Sequence, residues 1–194
     1  TCIMHDLLEV LKPQLNPETS EAVYKFERAS LGPALAMMKR GCRIDLERRR
    51  VLIAEFTEEY NQLVGLSKAL AGSVMDGSED FNPASPDQVS HILYTCLSIP
   101  PIYSHKAKSR KTSTGEDALD YIINNYPVAA PFCRCILAIR EIGKKLDVLN
   151  AGLDEDDRIR CSYNVAGTVT YRWSSSKNIH DGGGNLQNIN KAMR

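Results

Sequence analysis

The chain of 194 residues is 43% hydrophobic and only 7% aromatic, enough to bury one medium core or to supply one or two pieces of a larger protein. Its 24 Lys and Arg balance 24 Asp and Glu, so no global field draws in a polyanion or a membrane surface, and any such affinity must come from local clusters. No window approaches ~20 uninterrupted apolar residues and no charged segment leads into an apolar one, which predicts a soluble, unexported chain with no membrane partner. The 6 cysteines form no Cys-x-x-Cys pair, and His5, His91, His105 and His180 stand at no metal-ligand spacing from them. An intracellular, reducing compartment without zinc is expected, with Cys133 and Cys135 in packing roles.

In chain order, Ile3 to Leu11 reads as a short helix ended by Pro13, and Asn16-Pro17-Glu18 opens a second with an N-cap and a first-turn proline. The start at Thr1, inside a helical pattern, reads as that of a fragment. Gly32-Pro33 is expected to break or kink the second helix, leaving a separate segment from Ala34 to Arg40 that stops at Gly41. Asp45 is the expected N-cap of a long amphipathic helix from Leu46 to Ala71, where Leu52, Phe56, Leu63, Leu66 and Leu70 recur at helical spacing. A turn-rich acidic break from Met75 to Asp80 precedes Ser85-Pro86-Asp87-Gln88, a capping box with proline at the first helical position, which predicts a helix to Leu97.

Thr114 is expected to cap a helix over Glu116 to Asn124, Tyr126-Pro127 to close it, and Pro131 to Leu149 to form a last long helix ending before Gly152. Beyond Asp157 the period changes. Ile159, Cys161, Tyr163 and Val165 alternate with Arg160, Ser162 and Asn164, and Thr168 to Trp173 is β-branched and aromatic, so two short strands in a hairpin are expected. The predicted fold is mainly α with a small α+β portion, a helical region followed by a short antiparallel hairpin.

Two features carry candidate chemistry. Between Gln88 and Gly115 there is no acid, while His105, Lys106, Lys108, Arg110 and Lys111 crowd a loop punctuated by Ser and Thr. Mobile cations on a helix-to-helix tip can follow a phosphate backbone through charge alone, against the plain alternative of a solvated lysine-rich loop. Further on, Thr168-Val-Thr-Tyr-Arg172-Trp-Ser-Ser-Ser176 is followed, after a glycine-rich spacer, by Asn185-Leu-Gln-Asn-Ile189. The guanidinium of Arg172 and the carboxamides of Asn185, Gln187 and Asn188 have donors and acceptors suited to base edges and sugars, and hydroxyls such as that of Thr168 can bind phosphate oxygens. Together they read as a nucleic-acid contact surface.

Arg172, expected on a strand beside Trp173, could present its fork of donors to the minor-groove acceptors that every base pair displays; an arginine paired with an acid at the edge of the core is the alternative. Gly182-Gly183-Gly184 lacks the Gly-Lys-Ser/Thr ending of a phosphate cradle and reads as a flexible spacer. His180-Asp181 lacks the rigid support of a catalytic dyad, and Asp154 to Asp157 reads as a solvated acidic turn.

The segments around Arg172 and Asn185 closely resemble the Thr-Gly-Arg-Leu-Ser-Ser…Asn-Leu-Gln-Asn signature of family A, polymerase I-like DNA polymerases. Tyr171 stands where that family usually has glycine, and the spacer from Lys177 to Gly184 is longer, as in some phage-like members. Gly41-Cys42-Arg43-Ile44-Asp45, the run from Phe81 to Val89 and the run from Arg140 to Leu146 resemble thumb segments of the same polymerases, so the resemblance spans Leu35 to Arg194.

This resemblance implies a thumb over 16–157 with a basic tip near 104–112, the start of a palm over 158–194, and the end of a preceding exonuclease-like domain over 1–15. It implies that Thr168, Arg172, Asn185, Gln187 and Asn188 contact primer-template DNA near the primer terminus, and that Lys106, Lys108, Arg110, Lys111 and Lys144 follow the backbone. The implied activity of the complete protein is template-directed addition of deoxynucleotides to a primer 3′-end with Mg²⁺, in a bacterial or phage-infected cytoplasm. In that family the metal-binding carboxylates and the helix that holds the dNTP come from motifs downstream of Asn-Leu-Gln-Asn. No catalytic residue or metal ligand is therefore expected in these 194 residues, and the chain alone is expected to be inactive. From the residues alone, a non-catalytic helical DNA-binding module and a helical protein-interaction domain both stay open.

Overall fold

The computed structural model describes residues 2–14, 16, 18, 20–75, 81–103, 111–170, 172–178 and 182–188. In chain order its elements are α1 (Cys2–Leu11), a 3₁₀ turn (Lys12–Gln14), α2 (Ser20–Arg40), β1 (Cys42–Arg43), α3 (Leu46–Gly72), α4 (Pro86–Ser90), a π-helical stretch (His91–Cys96), α5 (Glu116–Asn125), α6 (Ala130–Leu149), β2 (Arg158–Ile159), β3 (Cys161–Asn164), β4 (Ser174–Lys177) and a second 3₁₀ turn (Leu186–Asn188). The fold is mainly helical, with two small antiparallel two-stranded sheets. Two compact units are formed, one by Leu46–Asn150 and one by Thr1–Asp45 together with Ala151–Arg194.

In the continuous unit α6 buries Phe132, Cys133, Cys135, Ile136, Ile139 and Ile142, a spacing of threes and fours that puts them on one side of the helix. That side packs against α3 and α5. Leu119 and Ile122 of α5 join Ala71, Val89, Ile92, Leu93, Cys133 and Ile136 in one apolar cluster, with the rings of Phe81 and Phe132 5.8 Å apart. Each fully buried aliphatic side chain of this kind contributes about 1.5 to 3 kcal/mol.

Small residues bring α3 close to its neighbours. Ser67, fully buried, satisfies its hydroxyl on its own helix at the Val64 carbonyl, 2.8 Å away. The Cys135 thiol meets the Leu63 carbonyl at 3.2 Å. Burial pushes both α6 thiols up, Cys133 to about 11, so each stays a neutral packing group as its sequence position predicts. Arg49 donates to the Leu149 carbonyl at 2.6 Å, placing a cation on the negative end of α6.

Several boundaries differ from expectation. Gly32-Pro33 does not divide α2, which runs unbroken to Arg40 with Pro33 inside it. Proline removes the bond to the Ala29 carbonyl, but Ala29 and residues 31–33 are exposed, so water can satisfy that oxygen. Ser85 caps α4 as predicted, accepting from the Gln88 amide at 3.4 Å. The reciprocal arm of the box goes elsewhere: the Gln88 side chain accepts from the Asn82 amide at 2.6 Å. The helix predicted to reach Leu97 changes from α to π at His91, with the Leu97 amide bonding the Ile92 carbonyl at 2.9 Å. Gly115, not Thr114, caps α5, and no side chain serves the cap. Thr114 is buried instead, its carbonyl accepting from Arg140.

In the second unit the predicted hairpin is shifted. β3 pairs with β4 from Cys161↔Lys177 to Asn164↔Ser174, so the described residues between Thr168 and Trp173 form no strand. The strand ends at Asn164 because its side chain turns back to accept from the Ala166 amide at 3.1 Å, an Asx turn that competes with the ladder. Val169, β-branched but 97% exposed, gains nothing from pleated packing. An unforeseen pair, Cys42↔Ile159 and Arg43↔Arg158, joins β1 to β2.

Two substitutions test the helical core. Ile136→Ala should lower the unfolding free energy by about 2 to 5 kcal/mol through lost burial and a residual cavity. Val169→Ala should change it by less than about 0.5 kcal/mol. Urea titration followed by far-UV circular dichroism makes the comparison, and an equal response would place Ile136 outside a cooperative core.

Candidate nucleic-acid interface

The strand pair β3–β4 and the 3₁₀ turn Leu186–Asn188 carry the Arg172 and Asn185 segments, and two arginines fix this region to α2. Arg160 donates from Nε to the Lys39 carbonyl at 2.9 Å, while Nη1 and Nη2 meet Asp154 and Asp156 at 2.6 Å. Arg158 donates to the carbonyls of Arg40 and Gly41 at 3.0 and 3.3 Å. The last carbonyls of α2, which have no partner within the helix, are thus met by two guanidinium groups at its negative end. The hydrogen bonds from Arg160 hold the Asp156 carboxyl below its ordinary range, and those from both acids raise Arg160. The acidic turn is therefore engaged with arginine.

The glycine-rich spacer is not free. Gly183 has φ of 68°, and a Cβ there would stand 1.8 Å from the Arg160 carbonyl oxygen, so no side chain fits. It also bridges to Gly152. The flexible-spacer reading is thus corrected at Gly183, where close backbone approach demands glycine. On one side of it the Asn178 and Gly182 amides bond the Gly182 carbonyl and the Asn178 side chain, each at 3.0 Å.

Arg172 is exposed in the loop before β4 rather than on a strand. Thr168 donates its hydroxyl to the Arg172 carbonyl at 2.7 Å, which ties the two ends of that loop. The next residue, Trp173, is held on both sides: its ring lies 6.3 Å from that of Tyr163, and its carbonyl accepts from the Gln187 side chain at 2.7 Å. A hydrogen bond with Cys161, aided by burial, pushes the Tyr163 phenol up to about 12, so it remains neutral. Asn185, half-buried, accepts from the Ser175 hydroxyl and, at 3.0 Å, from the Gln187 amide. Asn185 and Gln187 are therefore framework for the Arg172 loop as well as candidate contacts. Asn188 lies in the 3₁₀ turn.

The structure groups Thr168, Arg172, Asn185 and Gln187 within one unit and puts Lys111 and Lys144 in the other. Lys111 is exposed beside the Tyr103↔Thr112 bridge that closes the base of the tip. Lys106, Lys108 and Arg110 lie outside the described residues, as do His180 and Asp181. Lys144 is exposed on α6, whereas Lys145 is drawn back by Glu141 at 2.8 Å and lies 5.5 Å from the centre of the Phe56 ring. Among the described residues no group of three His, Cys, Asp or Glu could hold a metal ion, and no helix is long and apolar enough to cross a membrane. Sequence reasoning missed the roles of Arg158, Arg160 and Ser175; the Asp156 to Arg160 spacing of four was the available signal for Arg160.

The family model for DNA polymerase family A matches residues 49–194, and the chain belongs to that family. It is 33% identical over 159 residues to DNA polymerase I of Helicobacter pylori, a match covering 80% of this chain and 15% of that protein. Identity to DNA polymerase I of Synechocystis is 30% over 178 residues, covering 89% and 16%, and to that of Rhizobium leguminosarum 31% over 188 residues, covering 93% and 17%. The chain thus spans 15–17% of the length of these relatives. In fold it is similar to the POL domain of Pol1 from M. smegmatis, whose structure is a complex with DNA primer-template and dNTP, with a TM-score of 0.75, 23% identity, and coverage of 97% of this chain and 31% of that one.

The arginine clamp makes a pH prediction. Asp156 has a folded pKa below its unfolded value of about 4, so its stabilisation is present above that pH and is lost as pH falls through the depressed value. Arg160→Ala should lower the thermal midpoint at neutral pH and flatten its fall below about pH 4. Unchanged acid sensitivity in the variant would remove the clamp from the pH dependence of this unit.

Proposed function

We propose that the chain is the thumb and the first palm strands of a family A DNA polymerase of phage-like type, and that its share of the work is to hold primer-template duplex. The observation that carries this reading is the exposed Arg172, whose main chain is braced by Thr168 and by the Trp173–Gln187 contact, inside the stretch matched by the family. One positioned arginine can meet the purine N3 and pyrimidine O2 acceptors, which occupy nearly equivalent places in all correct pairs. Asn185, Gln187 and Asn188 contact the duplex beside it. Thr168, whose hydroxyl is spent on the Arg172 carbonyl, acts mainly by holding that loop.

The thumb occupies 16–157 and the palm begins at 158, with 1–15 as the end of a preceding exonuclease-like domain. Lys106, Lys108, Arg110, Lys111 and Lys144 supply backbone attraction, which is sequence-independent and salt-sensitive. The complete enzyme is intracellular and adds deoxynucleotides to a primer 3′-end. Asp154 and Asp156 do not suit Mg²⁺, since both are committed to Arg160. In this reading the metal ions and the dNTP belong to parts of the polymerase beyond these residues, and the chain alone extends no primer.

Equilibrium binding of the purified chain to a primer-template duplex, followed by fluorescence anisotropy across a salt series, tests the reading. Arg172→Ala should weaken binding by about tenfold, the loss of one charge-assisted hydrogen bond. Joint replacement of Lys106, Lys108, Arg110 and Lys111 by Ala should flatten the plot of log affinity against log salt by up to ~3.6, at ~0.9 for each phosphate contact. Wild-type affinity in Arg172→Ala and an unchanged slope in the quadruple variant would together sink the proposal.

A further inference from the structure

The bonds around β4 decide which way round two carboxamides stand. A backbone N–H can only donate, so the Asn185 atom that meets the Gln187 amide at 3.0 Å is its oxygen. The Ser175 hydroxyl bonds that same oxygen and must therefore be donating. A backbone carbonyl can only accept, so the Gln187 atom that meets the Trp173 carbonyl at 2.7 Å is its nitrogen. Amide orientations that are ambiguous elsewhere are settled here by main-chain partners. These bonds leave over the Nδ2 donors of Asn185 and the Oε1 acceptor of Gln187. Ser175 is 8% exposed, so its hydroxyl has little water to turn to instead.

We infer that these main-chain bonds give this surface a fixed polarity toward the minor groove, with Asn185 as donor and Gln187 as acceptor, and that Ser175 is a positioning residue that holds the Asn185 carboxamide in place with a second bond to its oxygen. The inference rests on the reading of the surface as a duplex contact. Every base pair offers the groove an N3 or O2 acceptor, whereas only a pair containing guanine also offers a 2-amino donor. Asn185 is then indifferent to sequence, and Gln187 favours G·C where it meets the duplex. A surface of arginine alone would show no such preference, because guanidinium has no acceptor.

The test has two arms on the 194-residue chain. Without DNA, Asn185→Asp keeps both acceptor bonds and should unfold near the wild-type temperature, while Asn185→Ala unfolds earlier. Gln187→Glu cannot donate to the Trp173 carbonyl and should unfold as early as Gln187→Ala. Asn185→Asp unfolding as early as Asn185→Ala overturns the orientation. With DNA, binding is measured in an Arg172→Ala background so that the guanidinium cannot answer for the same acceptors. Replacing purines by 3-deaza purines, or guanine by inosine, should each weaken binding by about two- to tenfold, the loss of one neutral hydrogen bond. Adding Ser175→Ala, which leaves Asn185 held by the Gln187 amide alone, should diminish the 3-deaza penalty, and Ser175→Thr, which keeps the hydroxyl, should restore it. An undiminished 3-deaza penalty with Ser175→Ala overturns the positioning role, and absence of an inosine penalty in the background form overturns the Gln187 acceptor. Failure of wild type itself to bind DNA overturns the duplex reading and the groove-facing half of this inference with it, while the unfolding arm still decides the orientation.

Discussion

The guanidinium of Arg160 reaches a helix end and an acidic turn at once. Its Nε meets a carbonyl 121 residues earlier in the chain, at Lys39, and its other nitrogens meet Asp154 and Asp156. Chain segments that enter and leave the helical unit are thereby closed against each other, with Arg158 adding bonds to Arg40 and Gly41. Hydrophobic burial is scarce here, since the strands are short and Ile159 and Cys161 are their buried apolar residues. Directional, charge-assisted bonds must do what a larger core does in the other unit. Everything on β4, including the loop that carries Arg172, inherits its position from β3, which follows directly on Arg160.

The helical unit works by the opposite means. α3, α5 and α6 bury a continuous apolar cluster, and polar residues appear in it only where a helix can satisfy them, as at Ser67. The basic loop expected near 104–112 leaves this unit after Tyr103 and returns to it at Lys111. The base of that loop is closed by the Tyr103↔Thr112 bridge and by the Ser113 amide bonding the Ile102 carbonyl at 2.7 Å.

The sequence made the helices legible because their signals are local and repeated. The period of α3 and α6 and the Ser85 cap needed no knowledge of what they would meet. Pro33 misled because the cost of a proline depends on whether water reaches the freed carbonyl, which is a tertiary fact. Thr114 misled because its place was taken by burial and by Arg140. β1 is two residues long and leaves no periodic trace, and the β-branched run at Thr168 lost to an Asx turn and a threonine bond. At the site, Arg172, Asn185 and Gln187 stood out by residue type. Ser175 did not, since three adjacent serines look alike until one of them is buried.

Close passage of Gly183 over the Arg160 carbonyl, where a Cβ would come within 1.8 Å, has a bearing on protein engineering. The surface from Thr168 to Asn188 looks in sequence like a portable cassette that could be grafted onto another scaffold. It is not self-contained. Its return segment at Gly183 is seated on the backbone of Arg160, whose side chain is held by Asp154, Asp156 and the end of α2. A transplant that takes the cassette must also take the turn from Asp154 to Arg160 and a helix end for the arginines to grip, so the smallest exchangeable piece is discontinuous in the chain.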